Sequence, residues 1–469
     1  MKINRTILMI PMIVTALAFN GCNKSTPKVT EAKLLMHVYN EDETNNFPYV
    51  FNLDEYTVVD GNANENIAKM GILFSANISH STSVFFKGSK IKPQSYVDYE
   101  SFYKYLNLDS FETANVGEKA EADTNDQTFL NLAHKKIQKD GADYDICFLT
   151  IEDSGGKAVY WSSNFDLGAD DENYYSLTGQ HDEWTNKNNH KGFDVSANRC
   201  LPVVEDYISR NLDKNSQQIL YVFGHSRGGA LCNVVSAKLI DKGYKTVGYG
   251  YASPATTTDK DATSAKYQNI HNYYCEDDII SGILPPQLGF VRYGQSESFK
   301  IQDYKEQFKD VNNVELPNAD ISILTKLFEK LADSREEVYS INDKYTVTES
   351  EPMNESEVDA YVSKYTSAFT GYYKSLKGFI KVEKIPSDGN LVKVKITTCA
   401  GFYLNLIGSC IAKNDVVFGK IALDLFKFSN YLQILFDATG YSFSDLATMD
   451  FAMVVYAHYY YSYLAYFHK

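Results

Sequence analysis

Short, nearly continuous apolar runs recur through the middle of the chain: Tyr144–Ile151, Ile219–Phe223, Thr246–Tyr251 and Asn269–Tyr274. Runs of this kind, apolar at successive positions, suit strands buried on both faces of a parallel sheet. Between them lie segments with apolar residues three and four apart, Asp194–Asn211 and the group Ala230, Leu231, Val234, Val235 and Leu239. That spacing predicts amphipathic helices. Strand and helix in alternation predict an α/β fold, a mostly parallel central sheet with helices on both faces and right-handed crossovers.

The flanks are less regular. Leu130–Ile137 mixes polar and apolar positions and reads as a helix, and Leu391–Thr397 reads as a strand. Residues 296–388 are charge-rich, with helical patterns at Ile321–Ala332 and Glu355–Lys377, and read as a helical insertion. Phe402–Ile411 and Ile421–Phe436 are apolar enough to be core or a lipid-facing cap. The last apolar run, Met453–Ala457, reads as the last strand. The domain division that follows is a leader over 1–22, a tether and packing segment over 23–118, and the main domain over 119–469.

One stretch organises the rest. In Gln217–Asp241 an apolar strand runs into Gly224-His225-Ser226-Arg227-Gly228-Gly229 and then into a helix. G-x-S-x-G between strand and helix is the pattern of a nucleophile elbow. A serine there stands on a sharp turn with its hydroxyl clear of the backbone. Gly224 and Gly228 let strand and helix approach closely. The helix N-terminus aims N–H groups at negative charge developing on a carbonyl that Ser226 attacks, and the N–H of Arg227 is one such donor.

A serine hydroxyl needs a base, and the base needs an orienting group. In the α/β-hydrolase order the acid and then the histidine follow the serine, at the carboxyl ends of strands. Asp278 follows the run Asn269–Tyr274, and His458 follows Met453–Ala457. Asp277 is the neighbouring rival for the acid. Among the other histidines, His271 falls inside a strand, His468 at the chain end, and His190 and His225 precede the serine.

Composition narrows the partners. The 469 residues carry a formal net charge of −15, which argues against nucleic acid. Lys2 and Arg5, the apolar stretch Ile7–Phe19 and Asn20-Gly21-Cys22 read as a secretory signal. Glycine before cysteine resembles a bacterial lipoprotein signal, with Cys22 lipidated and the protein held extracytoplasmically at the cell membrane. Ala16-Leu17-Ala18 is the alternative, an ordinary cleavage site of a secreted protein. No C-x-x-C pair occurs among the other cysteines, so no metal site is expected, and no motif calls for a cofactor.

GHSRGGALCNVVSAKLI resembles the elbow of the fungal-type (class 3) lipases and, with Arg after the serine, a bacterial branch of that family. The resemblance continues in order through WSSNFD, HKGF, YASPATT, NYYCEDDIISGILPP, GFVRYG and the terminal AHYYYSYL. It implies an α/β-hydrolase fold and hydrolysis of acylglycerol- or phospholipid-like esters. It also implies Ser226 as nucleophile, Asp278 as orienting acid and His458 as base. The family usually has R-G-T or R-G-S after the strand matched by Tyr144–Ile151, the hydroxyl serving the oxyanion hole. Here Glu152-Asp153-Ser154 stands there. Ser154 keeps the hydroxyl, while two acids beside a developing oxyanion oppose catalysis unless they point away or are paired. The alternative reading is therefore a surface lipoprotein that keeps the fold to bind lipid or a partner without turnover.

Overall fold

The computed structural model describes residues 29–37, 44–78, 103, 106–117, 127–154, 164, 183–282, 290–312, 314–317, 345–362, 380–398 and 451–468. Cys22 and the segments Ile321–Ala332, Phe402–Ile411 and Ile421–Phe436 lie outside them.

At the start of the described chain, β1 (Val29–His37) and β2 (Thr44–Asn52) pair antiparallel. Helix α1 (Glu65–Ile78) follows. The central sheet has seven strands in the order β3-β4-β5-β6-β7-β8-β9. They are β3 (Ser110–Val116), β4 (Thr128–Lys139), β5 (Ala142–Ile151), β6 (Gln217–His225), β7 (Thr246–Tyr251), β8 (Ile270–Cys275) and β9 (Gln295–Phe299). The first three run antiparallel and β5 to β9 run parallel. Helix α2 (Lys191–Asn211) connects β5 to β6, and α3 (Arg227–Asp241) connects β6 to β7. Beyond α4 (Ile279–Gly282) and α5 (Lys305–Asn312), the strands β10 (Tyr345–Glu349), β11 (Ile380–Pro386) and β12 (Val392–Thr398) form a separate antiparallel sheet in the order β10-β12-β11. The described chain ends with α6 (Phe451–His458) and α7 (Tyr460–Tyr466).

Side chains alternate across the sheet, because successive strand residues point to opposite faces. Cys147, Leu149, Ile151, Leu220 and Val222 pack against α2 and α3. Ile146, Phe148, Ile219, Tyr221 and Phe223 pack on the other face with α1 and α7. The second face is built from aromatic rings: Phe74 of α1 stacks on Phe223 at 5.1 Å and on Phe148 at 5.5 Å. On β7 the first face carries glycine instead. A Cβ on Gly248 would stand 2.6 Å from Ser236 Oγ of α3, and one on Gly250 would stand 3.2 Å from the Gly229 carbonyl. Bare backbone there is what lets α3 settle onto the sheet. With parallel strands, a covered sheet and the strand–turn–helix at Ser226, the architecture is an α/β-hydrolase fold.

Three expectations change. Leu130–Ile137 is not a helix but the middle of β4. Leu130 and Leu132 face the α2 side while Ala133 faces the other, and ladders to β3 and β5 hold both edges. Asp140 and Gly141, at φ 51° and 80°, make the two-residue turn between Lys139 and Ala142, the left-handed pair a tight hairpin requires. Met453–Ala457 is helical rather than a strand, so His458 is the last residue of a helix. Finally, the region read as a helical insertion contributes β9, β10 and β11, and of Glu355–Lys377 the described part is a short 3-10 turn with a helical start. Among the described residues no helix is long and apolar enough to cross a membrane.

Candidate active site

The parallel register lines up the carboxyl ends of the strands. Ile151 of β5 is level with Gly224 of β6, and His225 is level with Tyr251 of β7. Ser226 sits one residue past β6 with φ 56° and ψ −123°, a conformation that costs a non-glycine residue roughly 1–3 kcal/mol. Its N–H donates to the Tyr251 carbonyl at 2.8 Å, and its carbonyl accepts the Ala230 N–H at 3.0 Å. These bonds hold the turn at one end to the sheet and at the other to α3. A Cβ on Gly224 would lie 2.0 Å from the Gly228 carbonyl oxygen, and one on Gly228 would lie 2.3 Å from that of Ile151. Nothing larger than glycine fits at either place, so the close approach read from the sequence is enforced by backbone on backbone.

Ser226, Asp278 and His458 come together. His458 Nε2 is 2.9 Å from Ser226 Oγ, and its Nδ1 is 2.9 Å from Asp278 Oδ2. A carboxylate only accepts, so Nδ1 carries the proton and Nε2 is left to accept from the serine hydroxyl. Asp278 is buried, and both of its oxygens are hydrogen-bonded: Oδ1 accepts the Ile280 N–H at 2.9 Å and Oδ2 also accepts the Ser281 hydroxyl at 2.5 Å. The rival Asp277 contacts Cys275 instead, its Oδ2 lying 3.9 Å from Sγ.

Arg292 secures the turn that carries Asp278. Its Nε and Nη2 donate to the Ser253 carbonyl at 2.8 and 2.6 Å, and Nη2 also reaches the Ser281 carbonyl at 2.7 Å. The guanidinium lies over the Tyr274 ring at 4.4 Å. In the sequence this arginine lies within GFVRYG, a stretch that carried the resemblance but gave it no role.

Arg227 begins α3, where its N–H belongs to the helix N-terminus. Its side chain turns into the protein, Nη2 donating to Thr128 Oγ1 at 2.9 Å and Ser196 Oγ at 3.3 Å. It thus ties the elbow to β4 and α2. Ser154 is buried three residues past β5, in the segment whose Glu152 carbonyl lies against Gly228. Its hydroxyl accepts from Asn164 Nδ2 at 2.6 Å.

The two acids before Ser154 are buried, and Asp153 is paired. Asp153 Oδ2 accepts the Tyr460 hydroxyl at 2.8 Å and lies 3.9 Å from His225 Nδ1. The condition set by the sequence, acids that point away or are paired, is met at Asp153 by a tyrosine two residues past His458.

The other histidines are apart from this arrangement or act differently. His190 is buried and stacks on Phe193 at 4.1 Å. His271 is buried in β8, where burial lowers it to about 4. His225, which the sequence offered only as a rival base, donates from Nε2 to the His458 carbonyl at 2.7 Å. Burial first, and then the nearby His458, push it well below the usual histidine value, so it stays neutral. Among the described residues no cluster could hold a metal ion.

Residues 167–288 match the family model of lipase (class 3). That span contains Ser226 and Asp278, and His458 and Ser154 lie outside it. No curated protein matches the chain. Solved structures similar to it include a mono- and diacylglycerol lipase from Aspergillus oryzae, 15% identical with a TM-score of 0.32, covering 50% of this chain and 79% of that one. A lipase from Rhizopus microsporus var. chinensis is 17% identical with a TM-score of 0.31, covering 50% of this chain and 76% of that one.

Proposed function

We propose that this chain is a serine carboxylic-ester hydrolase of the class 3 lipase kind, acting on acylglycerol- or phospholipid-like esters. The observation that carries the reading is the hydrogen-bonded series from Asp278 through His458 to Ser226. Ser226 Oγ attacks the acyl carbonyl while its proton passes to His458 Nε2. Asp278 stabilises the imidazolium through Nδ1–H. The tetrahedral oxyanion is received by the Arg227 N–H and the Ser154 hydroxyl. Collapse expels the alcohol, which takes the proton from Nε2, and leaves an acyl-enzyme. Water, deprotonated by His458, then releases the acid. No cofactor enters any step.

The match over residues 167–288 supports the hydrolase class. The bond from Tyr460 to Asp153 weighs against the non-catalytic alternative, since one of the acids that motivated it is occupied. The leader motif supports a lipid anchor at Cys22 that holds the enzyme at a bacterial membrane surface. Labelling with a radioactive fatty acid that persists in Cys22→Ser would refute the anchor.

The test of the reaction is labelling with a fluorophosphonate, which reacts with an activated serine, followed by mass mapping. An adduct on Ser226 that disappears in Ser226→Ala and in His458→Ala supports it. Folded wild-type protein that takes no label, with or without detergent micelles, overturns it.

A further inference from the structure

The reading of Ser226 and His458 leaves a second histidine beside them without a task. His458 is the last residue of α6, so its carbonyl is one of the final carbonyls for which a helix supplies no partner. That carbonyl receives the His225 Nε2–H at 2.7 Å. His225 comes immediately before Ser226 on β6, so the bond links the strand end that carries the serine to the helix end that carries the base. The two imidazoles stand 5.1 Å apart between centroids. His225 is itself wedged in place by rings of α7 and the residue before it: Tyr460 at 4.1 Å, and Tyr459 and Tyr463 each at 5.9 Å. Tyr460 in turn donates to Asp153, in the segment that carries Ser154.

We infer that His225 is a positioning residue for the hydrolase reaction, donating a hydrogen bond to the His458 main chain that sets where α6 ends and so where the His458 ring stands over Ser226. The chain after His458 is pinned at two points, the carbonyl by His225 and Tyr460 by Asp153. Both partners come from the carboxyl ends of neighbouring strands. The groups facing the His225 ring are the His458 ring and carbonyl, Tyr459, Tyr460, Tyr463 and the Asp153 carboxylate, 3.9 Å from Nδ1. In this setting a neutral donor serves where a cation would not. His458 becomes positive as it takes the serine proton, and a charged ring beside it would oppose that step.

This inference rests on the proposed hydrolase activity, and the experiment separates the two. Ester turnover is measured for the wild type, Ser226→Ala, His225→Phe and His225→Gln. Phenylalanine keeps the ring contacts and deletes the donor, whereas glutamine returns an N–H near the Nε2 position. His225→Phe is expected to lower kcat about tenfold to a hundredfold with KM changed less than about twofold, as displacement of a catalytic base does. His225→Gln is expected to recover most of the loss. If His225→Phe does not fold, His225→Met makes the same comparison with glutamine. Active wild type with folded His225→Phe at wild-type kcat, or glutamine no better than the apolar replacement, overturns the positioning role alone. Equal turnover by wild type and Ser226→Ala overturns the hydrolase reading and the inference with it.

Discussion

Ser226 Oγ and His458 Nε2 stand 2.9 Å apart although 232 residues separate them in the chain. Each is delivered by the end of an element: Ser226 by a strained turn after β6, His458 by the last residue of α6. Asp278 closes the series from the turn after β8, accepting from His458 Nδ1, Ile280 N–H and Ser281 Oγ. Asp278→Asn keeps the size but offers a donor where an acceptor is needed. It is expected to leave the fold intact and lower kcat on the order of a thousandfold to ten-thousandfold through the wrong imidazole tautomer. Steady-state kinetics on a soluble ester, beside a circular dichroism spectrum, checks it. Near-wild-type kcat would remove Asp278 from the role.

The elbow tolerates no side chain at Gly224. A Cβ there meets the Gly228 carbonyl carbon at 2.3 Å and its oxygen at 2.0 Å, both rigid backbone. Gly243 has a left-handed φ of 88°, but open space surrounds its missing Cβ. Gly243→Ala therefore pays only conformational strain, about 1–2 kcal/mol. Gly224→Ala must move α3 off the sheet, and the expected result is insoluble or unfolded protein. Comparing soluble yield and urea midpoint for the two variants checks the ranking, and a folded, active Gly224→Ala would contradict the packing.

How much of this could be read beforehand follows from what is local. The elbow lies within a few residues, so its strand, turn and helix showed in the apolar pattern. Asp278 was legible from its place after an apolar run, because parallel strands end on one side of the sheet. His458 was picked for a reason that failed in detail: an apolar stretch ending at a histidine fits a strand or a helix, and the pattern Met453–Ala457 does not separate them. β4 was misread because its polar half, His134 to Lys139, blurs the alternation, yet the Asp140-Gly141 pair that turns it into β5 was present in the sequence. For Arg292, Tyr460 and His225 the roles were out of reach. Each acts on a partner distant in sequence, and only the fold says which carbonyl or carboxylate stands opposite.

Arg292 holds the Ser253 carbonyl with two nitrogens, Nε and Nη2, and reaches the Ser281 carbonyl with the second, an arrangement that lysine with its one compact nitrogen cannot reproduce. In Arg292→Lys the second bond to the Ser253 carbonyl, the one from Nε, is lost, at a cost of about 1–3 kcal/mol. Because Ser281 Oγ donates to Asp278, the variant is also expected to lower kcat several-fold with KM little changed. Ser281→Ala should do the same, and the two losses should combine to less than their sum, since both act on the Asp278 turn. Urea titration and a double-mutant cycle in kcat check this. Strict additivity would place Arg292 outside the support of Asp278.

Acid should weaken the fold through its buried histidines. Burial beside Tyr249, whose ring centroid is 5.0 Å away, lowers His271 to about 4, while in the unfolded chain it titrates near the ordinary value of about 6.5. Between those values the unfolded state binds a proton that the folded state refuses, so stability rises with pH across the window. The contribution is fully present above about pH 6.5 and is lost progressively as pH falls towards 4, amounting to about 3 kcal/mol at the limit. His225, held neutral more strongly, acts in the same direction. His134, also lowered chiefly by burial, adds to the same trend, and His271→Gln removes one of these titrating groups. Its urea midpoint should start lower at pH 7.5, where the packing is lost, and then fall less steeply than the wild type down to pH 4.5. Parallel curves for the two proteins would mean that His271 takes up its proton in the folded state as readily as in the unfolded one, and that β8 is open to water at that position.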